Sequence, residues 1–205
     1  AYERGDLFKA KAVLSDAYQE GRLLAPDSSL VCQAARRLAE VELGLDNYNE
    51  AMKYAQKALE LAQALGEKTE VGAAMRTIAR VFAARDETED ALGYIRQAVD
   101  TLRLFGDPLE LARTMLVQID IKSRAGLDDF DRMRQTLDEA LRIFKRLELD
   151  YWVAETDYRS GIMACQAGDL SRGFKKLARA ELAFTALAEK GRVRSVNQFL
   201  RSLAD

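Results

Sequence analysis

The chain contains no histidine. The commonest general acid–base group and the commonest metal ligand are therefore both missing. Its candidate chemistry rests on arginine instead. When successive helix pairs are aligned, Arg36, Arg76 and Arg159 take equivalent places, and Arg80 lies one turn beyond Arg76. Each guanidinium offers a planar, bidentate fork, so a ladder of them suits carboxylates or phosphates. Val117 breaks the ladder in the third unit. The competing reading pairs these arginines with acids of the same chain, such as Glu40 and Asp86, at roughly 0–1 kcal/mol per exposed pair. The acidic pairs Asp86-Glu87 and Asp128-Asp129 resemble metal or glycosidase carboxylates. They stand at expected helix starts, however, where acids stabilise free N–H groups by about 0.3–1 kcal/mol. Cys32 and Cys165 each fall in an apolar helical stretch and are expected to be reduced, buried small hydrophobes. Trp152, the only tryptophan, follows Tyr151 at a helix start and is expected to pack between neighbouring units. Phosphate-binding loops of Gly-x-x-x-x-Gly-Lys type, Gly-x-Ser-x-Gly elbows and Cys-x-x-Cys pairs are absent from the sequence. These residues call for no cofactor and no metal, and the chain is not read as an enzyme.

The elements that must position these side chains are helices. The 205 residues include only two prolines, Pro26 and Pro108, and Ala, Leu, Arg and Glu, all strong helix formers, dominate. No segment alternates apolar and polar residues as a strand would. Four segments superimpose on alanine anchors at Ala58, Ala98, Ala140 and Ala180, with a larger apolar residue seven places later at Leu65, Phe105, Leu147 and Leu187. The anchors step by 40, 42 and 40 residues (98−58, 140−98, 180−140). Inside the segments the apolar residues recur at i, i+3, i+4 and i+7, the stripe of a helix with one buried face. The larger residues are expected to fill the space between layers. A second set of helices is expected near residues 29–43, 70–84, 109–125, 151–167 and 192–203. Short turns such as Gly44-Leu-Asp-Asn and Gly168-Asp-Leu-Ser allow only antiparallel neighbours. The basic stretch Lys190–Arg201 reads as a closing helix, with Val193, Val196 and Leu200 facing inward.

At Met75-Arg-Thr-Ile78-Ala79-Arg-Val-Phe82, followed by Ala91, Ile95 and Ala98, the chain resembles the tetratricopeptide repeat. The resemblance extends over most of the chain, in a longer form of about 40 residues per unit, similar to the repeats of bacterial transcription and signalling regulators and of kinesin light chains. It implies an all-α, right-handed solenoid of antiparallel helix pairs whose first helices line a concave face. On that face it places the arginine ladder and also Val117, Ile121 and Met163, a possible apolar floor for a partner. A one-residue slip would put these three in the core instead.

The expected organisation is a single repeat domain over 1–205. Residues 1–24 form the second helix of an incomplete unit, helix pairs span 28–66, 70–106, 108–148 and 151–190, and a closing helix spans 191–205. The half unit at the start, and the absence of an initial methionine, suggest a fragment of a larger protein. The function implied is a protein-binding or regulatory sensor module that holds a peptide, a partner domain (of another protein or of the same polypeptide) or an effector, within a bacterial transcription or signal-transduction regulator. The alternative is a self-association scaffold with no small ligand, a homo-oligomer. A net charge of −2, from 31 basic and 33 acidic side chains, gives no basic excess for nucleic acid. No apolar run approaches the roughly 18 residues of a membrane span, and the first residues do not form a signal peptide. A cytoplasmic location is expected.

Overall fold

A computed structural model describes residues 4–127 and 129–203. Among these residues there are ten helices and no strand. They are α1 (Arg4–Leu24), α2 (Ser29–Gly44), α3 (Tyr48–Leu65), α4 (Lys68–Ala84), α5 (Thr88–Phe105), α6 (Pro108–Arg124), α7 (Phe130–Arg146), α8 (Asp150–Gln166), α9 (Leu170–Ala186) and α10 (Lys190–Ser202). The class is an all-α repeat solenoid built from antiparallel pairs. The chain divides into two compact units at Gly126/Leu127. The first holds α1–α6. In it each helix packs on its successor, and the first helices of pairs also stack, α2 on α4 and α4 on α6. The second holds α7–α10, again packed in sequence order.

The alanine anchors explain the close spacing. Ala58, Ala98, Ala140 and Ala180 are all fully buried, so a neighbouring backbone can approach with no side chain intervening. The bulk is supplied three or four residues later, by Leu61, Leu102, Phe144 and Phe184. Burying each of these contributes roughly 1.5–3 kcal/mol. The residues seven places after the anchors do not fill the interlayer space as expected. Leu65, Leu147 and Leu187 are about 40% exposed and Phe105 is 63% exposed. They sit at the very ends of their helices, Leu65 and Phe105 as the last helical residue and Leu147 and Leu187 as the residue that follows it.

The turns depart from the glycine rule. In the first unit, α2 and α4 close on Asp46 and Asp86, both in the left-handed region. In the second unit Glu148, Gly168 and Ala188 take that role after α7, α8 and α9. At each of these turns the next amide bonds back five residues, as in Asn47 N–H to Glu42 C=O and Glu189 N–H to Phe184 C=O, both 2.9 Å. This 6→1 closure satisfies a helix-end carbonyl whichever residue supplies the left-handed step. Gly44 is therefore not the turn residue; it ends α2 in helical conformation. Asp86 and Glu87 do not cap α5 through their side chains, because Asp86 is engaged in closing α4. Asp129 and Asp169 do cap, accepting the N–H of Arg132 and Arg172 at 3.2 and 3.0 Å. Asp128 lies outside the described residues.

Within the second unit α8 and α9 cross at a pair of glycines. A Cβ on Gly173 would lie 2.2 Å from the Cys165 sulfur, and one on Gly161 would lie 3.1 Å from the Gly173 carbonyl. Trp152 stacks on Phe144, with ring centroids 5.6 Å apart, and so ties α8 to α7. Val196 anchors α10 against Phe184 and Leu177.

Candidate binding cleft

The seven residues singled out in the sequence fall into three settings. Arg36 and Arg76 are buried, with 3% and 2% of their surface exposed. Arg36 Nε donates to Glu70 at 2.8 Å and its Nη1 to Glu40 at 3.3 Å. Arg76 Nη1 donates to Glu110 at 2.5 Å and to the Thr114 hydroxyl at 3.2 Å, while its Nη2 stands 3.7 Å from Glu40. The result is a row of alternating charge running across α2, α4 and α6. It arises because each arginine on one first helix meets a glutamate in the opening turn of the next, 34 residues on. Burial alone would raise the Glu40 and Glu110 carboxyl pKa values. The guanidiniums of Arg36 and Arg76 outweigh it at Glu40, and those of Arg76 and Arg113 at Glu110, so both carboxyls are held below the usual range. The competing sequence reading, arginine neutralised by in-chain acid, thus describes Arg36 and Arg76, but with both groups inside the fold rather than in water.

Arg159 occupies the same kind of setting in the second unit. Its Nη1 pairs with Glu155 on the preceding turn. Glu155 is itself buried and accepts from Arg192 Nη2 at 2.6 Å and from Tyr151 Oη at 3.0 Å. Here the polarity is reversed: the acid is on the first helix and the arginine on the helix that follows the pair. Asp157 likewise pairs with Lys176 at 2.6 Å. Cys32 is buried and its thiol pKa is pushed up to about 11, chiefly by that burial, so it stays a thiol.

Arg80, Val117 and Ile121 come together. They line an open cleft of about 380 Å³ in the first unit, between the C-terminal ends of α2, α4 and α6. Arg80 is exposed and has no ion pair among the described residues. Ile121 is buried in a cluster with Ala79, Ala91 and Ile95, and half-buried Val117 packs on that cluster. The core therefore reaches the surface here as the floor of the cleft. Its rim carries Asp46, Tyr48, Asp120 and Arg124. Arg124 Nη1 donates to the Ala83 carbonyl at 2.9 Å, fixing one wall by capping the end of α4. The contribution of the α2–α3 turn, through Asp46 and Tyr48, was not apparent in the sequence; the left-handed conformation of Asp46 is what presents it. Met163 lines a separate, smaller cleft in the second unit. Among the described residues there is no group of three metal-ligating side chains and no helix long and apolar enough to cross a membrane.

The fold is similar to that of known repeat proteins. Residues 30–103 match the family model described as tetratricopeptide repeat. None of the curated proteins matches by sequence. Among solved structures, a Rap protein complexed with competence and sporulation factor superposes with a TM-score of 0.81 at 14% identity, covering 94% of this chain and 53% of that one. BtubC (BKLC) from P. vanneervenii gives 0.71 at 17% identity, covering 97% and 91%. A signal transduction ATPase with numerous domains, with a tetratricopeptide repeat sensor, from Pyrococcus horikoshii gives 0.71 at 15% identity, covering 89% and 28%. The chain thus spans about half the length of the Rap protein. The residues that carry the repeat pattern, Ile78, Ala79, Ala91, Ile95 and Ala98, are all buried between the helices of adjacent pairs, and the stretch over residues 30–103 carries tetratricopeptide repeats.

Proposed function

We propose that this chain is a regulatory interaction module that holds a short peptide, or a segment of a partner domain, in the cleft between α2, α4 and α6. One observation carries the reading. Arg80, an exposed cation without an ion pair among the described residues, stands over an apolar floor of Val117 and Ile121. A surface arginine beside a floor of buried and half-buried aliphatic side chains suits a segment with an acidic residue beside an apolar one. Two neighbours support a regulatory setting. The Rap structure is a complex with competence and sporulation factor, and the archaeal ATPase carries its repeats as a sensor. The fuller reading is a sensing segment of a bacterial transcription or signalling regulator in the cytoplasm, binding protein or peptide rather than nucleic acid and performing no catalysis.

The test is selection of displayed random dodecapeptides on the immobilised chain. The expected consensus pairs an acidic with an apolar residue. Synthetic consensus peptide should bind Arg80→Glu at least tenfold more weakly, since charge reversal replaces an attraction with a repulsion. Val117→Asp should do the same, with the melting temperature of Arg80→Glu unchanged. Enriched peptides that bind Arg80→Glu as tightly as the parent chain would place the partner elsewhere.

A second reading, self-association, is favoured by Leu104 and Phe105, adjacent and 73% and 63% exposed at the end of α5. Light scattering over a hundredfold concentration range would show a rise in mass that Phe105→Ser abolishes. A constant mass removes this reading.

A further inference from the structure

A second cleft lies wholly within the unit of residues 127–205. It measures about 130 Å³ and is bordered by the first turns of α7 and α9 and the C-terminal half of α8. Its floor is apolar, made by Phe130, Met163 and Ala164. Ser160 also lines it. That residue is 4% exposed, and its hydroxyl has no hydrogen-bond partner among the described residues. Its hydroxyl opens onto the cleft, where an incoming polar group can meet it.

The mouth holds two guanidiniums and two carboxylates, and most of their capacity is taken. Arg134 pairs with Asp131 at 2.9 Å. Asp169 accepts the Arg172 N–H at 3.0 Å and so caps α9. The carbonyls at the end of α8 are filled by the turn itself: Met163 by Ala167 N–H and Ala164 by Asp169 N–H, both at 2.9 Å, and Cys165 by Gly168 N–H at 3.0 Å. Two groups remain without partners among the described residues, the Arg172 guanidinium and the Ser160 hydroxyl. Both can donate to an anion, and the opening turns of α7 and α9 favour negative charge there.

We propose that this cleft binds a carboxylate carried on a small branched apolar body. The body rests on Met163, Ala164 and Phe130, and the carboxylate is held between Ser160 and Arg172. A phosphate fits less well, because its second charge would face Asp131 and Asp169 and its oxygens would find no donors on the apolar floor. The carboxylate is that of a free short-chain acid or of the last residue of a peptide, which offers the same chemistry. The site is independent of the Arg80 cleft.

The experiment is a titration of the whole ¹⁵N-labelled chain, followed by amide chemical shifts, with isovalerate, N-acetyl-leucine and N-acetyl-leucinamide. At least one of the two acids should give saturable shifts confined to residues 130–134 and 160–172, and the amide should give none. Saturation by isovalerate alone assigns a free acid, and saturation by N-acetyl-leucine, with or without isovalerate, admits a peptide terminus. Arg172→Gln should weaken the binding about tenfold and Ser160→Ala several-fold, while Arg80→Glu leaves it unchanged. Absence of saturable shifts with both acids overturns the proposal, as do equal binding of the amide or unaltered binding by Arg172→Gln. Both substituted positions leave the apolar floor intact, and the parent-like dispersion of the variants' spectra checks that the fold is retained.

Discussion

Arg76 shows how one side chain can change meaning between a sequence and a fold. As a residue type at a repeat position it suits an incoming anion, yet the fold supplies that anion from inside, as Glu110 and Glu40. Truncating it leaves Glu110 with Arg113 alone and Glu40 with Arg36 and Arg37, so each half-buried carboxylate loses one counter-charge and a buried hole remains where the guanidinium lay. Arg76→Met should therefore cost roughly 3–5 kcal/mol in urea unfolding, and adding Glu110→Gln should recover part of that loss. The same pairs set an acid limit. Glu40 and Glu110 ionise below the ordinary carboxylate range when folded, so the unfolded chain takes up their protons first as pH falls. Their contribution is complete above about pH 4.3, the unfolded value, and disappears as pH drops from there through the lowered folded values. Melting temperature measured from neutrality to about pH 3 should decline over that window, and Glu110→Gln should flatten the decline. The arginines were legible in the sequence because they recur at one repeat position. Their partners were not, since Glu70 and Glu110 become neighbours only through the stacking of α2 on α4 and α4 on α6. Arg80 kept its surface role because it lies one turn closer to the helix end, where that stacking leaves a cleft.

At the level of the helices, the sequence located each element to within a few residues, because the apolar stripe, the alanine anchors and the turn chemistry agree with one another. It misplaced the strain. Glycine marks left-handed backbone only when selection for it outweighs other demands, and at Asp46, Asp86, Glu148 and Ala188 the 6→1 closure holds an ordinary residue in that region. Ala188 has no polar side chain to compensate locally. Ala188→Gly should raise stability by about 0.5–1 kcal/mol, read as a small increase in melting temperature. The opposite holds where α8 meets α9. Gly173→Ala would drive a methyl into the Cys165 sulfur, and either the helices separate or the sulfur moves, so a loss of about 1–3 kcal/mol is expected by the same measurement.

Within each unit contacts run mainly between consecutive helices, and in the unit of α1–α6 also between first helices of adjacent pairs. Such arrays open from their ends, since the first and last helices of the chain, α1 and α10, each pack on one neighbour while α4 and α8 pack on two or more. Amide hydrogen exchange should find the weakest protection in α1 and α10 and stronger protection in α4 and α8. Equal protection throughout would point to a single cooperative block.

The regular offset between Arg36 and Glu70, and between Arg76 and Glu110, bears on how such a chain could grow or shrink. Excising residues 45–84, one second helix and one first helix, would join Gly44 to Arg85 and bring Glu110 to the distance along the chain that Glu70 now holds from Arg36. Asp86 would follow in the turn where Asp46 now stands. The shortened protein would lose a layer yet keep Arg36 opposite a glutamate of the next first helix, whereas loss of a lone helix would break that spacing. Electrical neutrality here is a property of the pair taken entire, so duplication and deletion in whole pairs leave it undisturbed.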